Sequence, residues 1–211
     1  MVDKITVNEQ SSIRIESSAV IYADPFRIKA AAHDADIILI THEHYDHYSP
    51  EDIAKVQKKD TKFVFPESMG LAPEWDGIPK ENILQMKPKE SLMLSGIKIS
   101  SVPAYNLLKP FHPKKNGWLG YILELEGKRI YICGDTDDTP EARAVECDIV
   151  CVPIGGTYTM NPRKAAAFVN ELSPEIAIPI HYGTIVGKPS DADEFEKLAA
   201  GDIKVVRKLF V

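Results

Sequence analysis

The sequence predicts a mixed α/β fold in which two β-sheets pack face to face and helices cover their outer faces. Short strand-like apolar runs dominate the first half of the 211 residues, and strand-like runs alternate with helix-like ones in the second half. This order of elements favours two packed sheets with helices outside. Because single domains commonly reach this length, we expect residues 1–211 to form one domain with a sizeable core.

The composition predicts a soluble globular protein. Hydrophobic residues make up 44% of the chain, and no apolar run approaches the roughly 18–20 residues of a membrane span. The N-terminus lacks the basic start and long apolar segment of a secretory signal, which favours the cytoplasm. A formal net charge of -6 argues against broad attraction to nucleic acid. The oligomeric state stays open.

The three cysteines favour a reducing compartment. Cys133 and Cys151 lie in apolar strand-like runs, and Cys147 lies close to both in sequence without a C-x-x-C spacing. We therefore expect buried, reduced thiols rather than disulfides or zinc ligands.

The first half of the chain predicts a series of strands interrupted by one helix. The helix begins after Ser49, a good N-cap, with Pro50 as its first residue. A brief helical turn is expected over residues 26–32, and residues 67–82 are expected to be mostly loop. The expected strands are Ile5–Val7, Ile13–Ile15, Ala19–Ala23, Ile37–Ile40, Lys62–Phe65, Ile83–Met86, Ser91–Leu94 and Ile97–Val102.

The second half predicts a loop, a hairpin and then alternating strands and helices. Residues 106–117 have no periodicity and should form an exposed loop. Trp118–Leu125 and Arg129–Cys133 form the hairpin, joined at Glu126-Gly127-Lys128. The expected helices are Pro140–Val145, a segment capped by Asn161-Pro162 and ending near Leu172, and a segment from Asp191 or Asp193 to Ala200. The expected strands are Asp148–Ile154, Glu175–Ile180 and Ile203–Val206.

A dense group of potential metal ligands, HEHYDH, follows the fourth predicted strand. Imidazole and carboxylate groups are costly to bury without partners, and a divalent cation supplies the compensating charge. His42, His44 and Asp46 share one face of an extended segment, whereas the adjacent His47 joins them only where the chain turns. A ligand set divided in this way suits two neighbouring metals better than one.

Two later residues are further ligand candidates because each follows an apolar strand. Asp135 follows the second strand of the hairpin, and His181 follows the strand that ends at Ile180. Catalytic groups usually collect at such strand ends in layered folds. Asp24 either supports the same site or forms a turn before Pro25.

The order of these motifs resembles the metallo-β-lactamase superfamily. H-x-H-x-D-H after a buried strand, G-D-T after a hairpin and P-I-H-Y-G near the C-terminus match it over residues 24–183. Within the superfamily the chain is most similar to small hydrolases related to the ascorbate-phosphate lactonase and N-acyl-phosphatidylethanolamine phospholipase D branches. The resemblance implies a four-layer αββα sandwich.

The resemblance also implies ligands for one or two divalent metal ions. Zinc is the expected metal, with manganese or iron as alternatives. The implied ligands are His42 and His44 for the first metal, Asp46, His47 and His181 for the second, and Asp135 as a bridge between them.

One first-site histidine of the superfamily is replaced here by Asn106, at the end of the strand that finishes in VPAYN. Three explanations stay open. His112 replaces the missing ligand from the following loop, Asn106 itself coordinates or holds a water molecule, or the first site is empty or weakly filled. An amide oxygen is a weaker ligand for zinc than imidazole but is acceptable to a harder ion such as manganese.

The predicted function is hydrolysis of a phosphoester, ester or lactone by a metal-activated water. A bound metal lowers the pKa of water to ~7 and polarises the substrate oxygen. Asp46 would orient the nucleophile and later carry a proton to the leaving group. The alternatives are an iron-dependent oxidoreductase of the sulfur dioxygenase type and a non-catalytic metal or nucleotide sensor.

Candidate substrate-binding residues lie near the predicted site. Lys109, close to two further lysines, would attract the phosphate or carboxylate of a small anionic substrate, and Tyr158 or Tyr182 would donate to a developing oxyanion. A solvated loop and packing tyrosines explain the same residues more simply. Gly155-Gly156 either lets backbone approach a ligand closely or forms a tight turn.

Overall fold

The computed structural model describes residues 1–70 and 72–210 and contains two β-sheets. The first sheet has the strand order β1-β2-β3-β4-β5-β6, and β3 to β6 run parallel to one another. Its strands are β1 (Ile5–Val7), β2 (Ile13–Glu16), β3 (Val20–Ala23), β4 (Ala35–Leu39), β5 (Gln57–Pro66) and β6 (Ile83–Met86).

The second sheet has seven strands in the order β13-β12-β11-β10-β9-β8-β7, and β10 to β13 run parallel. Its strands are β7 (Ser91–Leu94), β8 (Ile97–Pro103), β9 (Leu119–Leu125), β10 (Lys128–Ile132), β11 (Ile149–Pro153), β12 (Ile176–Ile180) and β13 (Lys204–Val205). The predicted hairpin is confirmed as β9 and β10, which pair antiparallel across the turn at 126–127.

Five α-helices are described: α1 (Pro50–Val56), α2 (Ala72–Trp75), α3 (Pro140–Arg143), α4 (Pro162–Leu172) and α5 (Asp191–Leu198). The predicted caps form: the Ser49 hydroxyl accepts the N–H of Asp52 at 3.3 Å, and the Asn161 side chain accepts the N–H of Lys164 at 2.9 Å. Each cap satisfies a backbone donor that the first turn of a helix leaves free.

Two hydrophobic cores separate the layers. The larger core fills the space between the sheets and continues under α4 and α5, where Phe168 and Phe195 are fully buried. The smaller core lies on the other face of the first sheet, where Ile53 and Val56 of α1 pack with Ile38. Helices therefore cover both outer faces, and the predicted arrangement of two packed sheets between helices is confirmed.

Three expectations about the first half were wrong. Residues 26–32 form no helical turn, because the Asp52 carboxylate at the start of α1 accepts the N–H groups of Arg27 at 2.8 Å and Ile28 at 2.9 Å. Strand β5 begins at Gln57, five residues before the predicted start. The expectation that residues 67–82 are mostly loop was also wrong, because three short helical segments, Glu67–Met69, α2 and Lys80–Asn82, occupy most of the range. Leu71 lies outside the described residues.

The cysteines are free thiols. Cys133 and Cys151 are buried and Cys147 is partly buried, as expected. Burial raises the pKa of Cys147 and of Cys151 to about 12, so both stay protonated. None of the helices in the described part of the chain has the length and apolar character needed to cross a membrane.

The fold brings several strand ends to one edge of the molecule. Strands β3 and β4 end there in the first sheet because they run parallel, and β10 and β12 end there in the second because both run parallel to β11 between them. The Tyr121 hydroxyl donates to the Ile40 carbonyl at 2.7 Å, and the Leu119 N–H donates to the Thr41 carbonyl at 3.1 Å. These two bonds fasten the sheets together where the HEHYDH segment begins.

Candidate metal centre

The HEHYDH segment leaves β4 extended and then turns. The carbonyl of His44 accepts the N–H groups of His47 at 2.9 Å and Tyr48 at 2.8 Å, which closes a tight turn immediately before α1. This turn brings His47 back toward His42, and their ring centroids lie 4.0 Å apart.

The structure gathers seven candidate ligands in three overlapping groups. Within each group the potential ligand atoms lie within 4.8 Å of one another, and the shared members join the groups into one cluster. The groups are His42, His44 and His112; His42, His47 and Asp135; and Asp46, His47 and His181.

Asp135 lies at the centre of the cluster. Its Oδ2 lies 3.3 Å from Nε2 of His112 and 3.3 Å from Nε2 of His181, and its Oδ1 lies 3.3 Å from Nε2 of His47. Although burial opposes ionisation, the charges of His181 and His47 hold the pKa of Asp135 well below its usual range. One carboxylate thus contacts imidazoles from every part of the cluster.

Several buried ligand atoms have no hydrogen-bond partner, and this tests whether the residues fit a metal. They are Nε2 of His47, Nε2 of His112, Nε2 of His181 and Oδ1 of Asp135. A buried polar atom without a partner costs about 1–3 kcal/mol, and such atoms are rare in folded proteins. Burial also lowers the pKa of His42 well below its ordinary value, which favours the neutral imidazole that a metal ion requires. Convergent, unpartnered nitrogen and oxygen donors fit a divalent cation.

His112 is buried in the cluster, so the expectation of an exposed loop was wrong at this residue. Its Nδ1 donates to Oδ1 of Asn106 at 3.1 Å, and its carbonyl accepts the Asn106 N–H at 2.7 Å. This hydrogen bond places the proton on Nδ1 and leaves Nε2 facing Asp135. The Asn106 Nδ2 donates to the Tyr158 carbonyl at 2.9 Å. Both ends of the amide are therefore occupied, and the geometry favours His112 as the replacement ligand.

Asp24 supports the cluster from the end of β3. Its Oδ1 accepts the Thr41 N–H at 2.8 Å, and its Oδ2 accepts the Thr41 hydroxyl and Nδ1 of His47, both at 2.7 Å. The bond to Nδ1 orients the His47 ring with Nε2 toward Asp135. Of the two interpretations left open by the sequence, the structure favours support of the site.

Two contributors were not predicted. Thr41 donates its hydroxyl and its backbone N–H to Asp24 and so links Asp24 to the ligand segment that begins at His42. The Gln10 carbonyl accepts the N–H of His181 at 3.0 Å. His181 has a positive φ of 56°, a conformation that costs a non-glycine residue energy and needs such support. The position of Thr41 directly before the histidines could have indicated a role at the site, whereas nothing in the sequence around Gln10 indicates a contact with His181.

The candidate substrate residues fall into different surroundings. Tyr158 lines a cavity over the cluster. Tyr182 is instead buried, and its hydroxyl donates to the Leu209 carbonyl at 3.4 Å. The Lys109 ammonium donates to Oδ1 of Asp137 at 2.6 Å and to the Thr159 carbonyl at 2.5 Å. The geometry therefore does not support substrate contacts for Tyr182 or Lys109, because each has an internal partner.

Gly155 lets two parts of the backbone approach closely. A Cβ at this position would lie 2.2 Å from the His181 carbonyl oxygen and 2.7 Å from Cγ2 of Val186. Gly156 has a φ of +75° and forms the turn that follows. Gly155 thus approaches the backbone of His181 rather than a bound ligand, and Gly156 forms the tight turn that was the other alternative.

We expect Gly155→Ala to destabilise the fold and displace His181. Because the new methyl group would meet backbone rather than a flexible side chain, the overpacking cost should be about 1–3 kcal/mol or more. Urea unfolding measures this cost, and metal analysis reports the displacement. Gly201→Ala is the matched control, since a Cβ there would meet nothing within 4 Å; equal stability of the two variants would contradict the prediction.

The chain is similar to known proteins over most of its length. The family model described as "Beta-lactamase superfamily domain" matches residues 4–181. A UPF0173 metal-dependent hydrolase from Thermococcus onnurineus is 30% identical over 216 residues, which cover 96% of this chain and 95% of the relative.

Solved structures give the same result. A candidate metal-dependent hydrolase from Parabacteroides distasonis has a TM-score of 0.79 at 33% identity, covering 98% of this chain and 93% of the other. A candidate zinc-dependent hydrolase of the metallo-β-lactamase superfamily from Thermotoga maritima has a TM-score of 0.64 at 23% identity, covering 96% of each chain. The second likeness concerns the fold alone.

Proposed function

The chain belongs to the beta-lactamase superfamily, and from this premise we propose that it is a metal-dependent hydrolase with two divalent ions, which cleaves an ester, lactone or phosphoester of a small molecule. The superfamily and the αββα fold named from the motifs are thereby confirmed. The affinity to the lactonase and phospholipase D branches stays a prediction.

The observation that carries the proposal is the convergence of unpartnered ligand atoms around Asp135 at the floor of a cavity of about 370 Å³. In our assignment Asp135 joins the two sites. The first ion would be held by His42, His44 and His112, and the second by Asp46, His47 and His181. When bound, such ions lower the pKa of a water molecule to about 7 and polarise a carbonyl or phosphoryl oxygen.

Asp46 is positioned to transfer the proton from the attacking water to the leaving group. It lines the cavity, and its Oδ2 lies 3.5 Å from Nε2 of His181. Burial opposes ionisation, but the neighbouring imidazoles of His181 and His47 lower the pKa of Asp46. An ionised carboxylate facing the cavity can orient the attacking water, accept its proton and deliver that proton to the leaving group.

Metal removal and replacement test this proposal. We expect chelation to destabilise the protein, because an ion that binds only the folded state contributes about 2.7 kcal/mol at 100 times its Kd. The protein is stripped and then reloaded with zinc, manganese or iron separately. Metal content, thermal unfolding and turnover of carboxylic esters, lactones and phosphodiesters are measured for each form.

Each rival function has its own outcome. Two ions per chain with hydrolytic turnover by the zinc or manganese form supports the proposal. Stoichiometric iron with oxygen consumption and no hydrolysis would favour the oxidoreductase. One ion per chain without turnover of any substrate would favour the sensor.

A further inference from the structure

The cavity over the metal-ligand cluster has an apolar outer wall. Tyr45, Phe111, Tyr158, Ile185 and Val186 line it, while the candidate ligands form its floor. The three aromatic residues keep 65%, 44% and 37% of their surface exposed, respectively. Scattered exposed apolar side chains are common, but a group of them around the opening of a cavity is typical of a binding surface.

The part of the aromatic wall formed by Phe111 and Tyr158 is fixed in place. Phe111 and Tyr158 pack edge to face, with ring centroids 4.8 Å apart at 82°. The Asn106 amide and the Lys109 ammonium tie the loop before His112 to the carbonyls of Tyr158 and Thr159. Because these contacts hold the two segments that carry Phe111 and Tyr158 together, this part of the wall is preorganised, and a ligand does not have to order it on binding.

Basic side chains do not contribute to this wall. The residues lining the cavity in the described part of the chain include neither lysine nor arginine. Lys109 donates to Asp137 and Thr159, and Lys114 donates to Glu141 at 2.7 Å, so each ammonium group has a partner outside the cavity lining. A charged substituent resting on these apolar residues would lose hydration without gaining a partner.

We infer that the substrate carries an uncharged aryl or branched alkyl group, which lies against Phe111 and Tyr158 while the scissile group meets the cluster. This inference deepens the proposed hydrolytic function and rests on it. It replaces the expectation of a substrate held by the loop lysines. The metals and their ligands would recognise the scissile group, and the apolar wall would select the rest of the molecule.

Three phosphonates distinguish binding of the anionic group at the cluster from binding of the apolar group at the wall. Methylphosphonate presents the anionic group alone, benzylphosphonate adds a phenyl ring, and 4-carboxybenzylphosphonate adds a charge to that ring. Calorimetry on the zinc-loaded protein measures each Kd without requiring turnover. We expect benzylphosphonate to bind at least about tenfold more tightly than methylphosphonate, since single apolar contacts in such pockets give 10-fold discrimination or more. The added carboxylate should remove this gain.

Variants of the wall residues test whether Phe111 and Tyr158 cause the preference for benzylphosphonate. Phe111→Ala and Tyr158→Ala should each abolish most of the advantage of benzylphosphonate over methylphosphonate, measured as the ratio of the two Kd values in the same variant, whereas Phe111→Leu should retain part of it. Leu108→Ala is the matched control, because Leu108 is on the same loop, is 94% exposed and does not line the cavity. Metal content is measured in every variant, and Tyr158→Ala decides the result if Phe111→Ala disturbs His112.

The outcomes of the two proposals are distinguishable. Equal or tighter binding of the carboxylated probe, or an aryl preference that survives both alanine variants, would overturn the inference even if esters are hydrolysed. An aryl preference that is lost in the variants, in a protein that hydrolyses nothing, would sustain the inference about the ligand and overturn the hydrolytic function.

Discussion

Replacing Asp135 with alanine is expected to release metal from both halves of the cluster and to lower kcat/KM by more than about 100-fold, beyond the 10- to 100-fold loss typical of an outer-shell partner. Asp135 is the residue whose two oxygens lie 3.3 Å from His47, His112 and His181. Removing it takes away a central negative charge and leaves buried imidazoles to face one another. Metal analysis of the purified variant and steady-state kinetics check the prediction.

The control for this variant lies three residues along the same loop. Asp138 forms an ion pair with Arg143 at 2.6 Å and belongs to none of the three ligand groups. Asp138→Ala should therefore keep both its metal and its activity. A folded Asp135→Ala protein that still holds two ions would refute the ligand assignment, and Asp135→Asn would then show whether the charge or the shape of the side chain matters.

The ligands that could be predicted from sequence are those whose position follows from local geometry. His42, His44 and Asp46 share a face because side chains alternate along an extended chain. Asp135 and His181 could be predicted because the ends of parallel strands meet at one edge of a sheet, and the structure brings all of these residues together.

The parts that were missed depend on contacts between residues far apart in the chain. The expected turn over residues 26–32 is absent because Asp52, 24 residues beyond Ile28, takes the backbone donors that a turn would use. The partners of Lys109 lie 28 and 50 residues away. Local sequence gave no indication of either interaction, since a loop without periodicity leaves the direction of each side chain undetermined.

Asn106 shows how such a contact changes the chemistry of the site. The sequence places it where the superfamily has a ligand, which left the first site one ligand short. In the structure its amide joins Nδ1 of His112 to the carbonyl of Tyr158, 52 residues away. The same side chain thus orients a candidate ligand and anchors the wall of the cavity. In our assignment His112 would give the first site a third imidazole, so both proposed sites would have three protein ligands besides Asp135.

His112→Ala is accordingly expected to leave one metal ion per chain and to lower kcat/KM by more than about 100-fold, again beyond an outer-shell effect. The retained ion should be the one held by Asp46, His47 and His181, which do not depend on the 106–112 loop. Asn106→Leu keeps the size of the side chain but breaks both of its hydrogen bonds, so metal affinity at the first site should fall by about 10- to 100-fold.

Metal titration of both variants distinguishes the three original explanations of the missing histidine. His33→Asn is the control, because His33 lies outside the ligand groups and its φ of 47° suits asparagine. If His112→Ala kept two ions while Asn106→Leu lost one, the amide itself would be the ligand. If neither variant differed from a one-ion parent protein, the first site would be empty. Loss of one ion in His112→Ala, with graded weakening in Asn106→Leu, identifies the loop histidine as the replacement and the asparagine as its support.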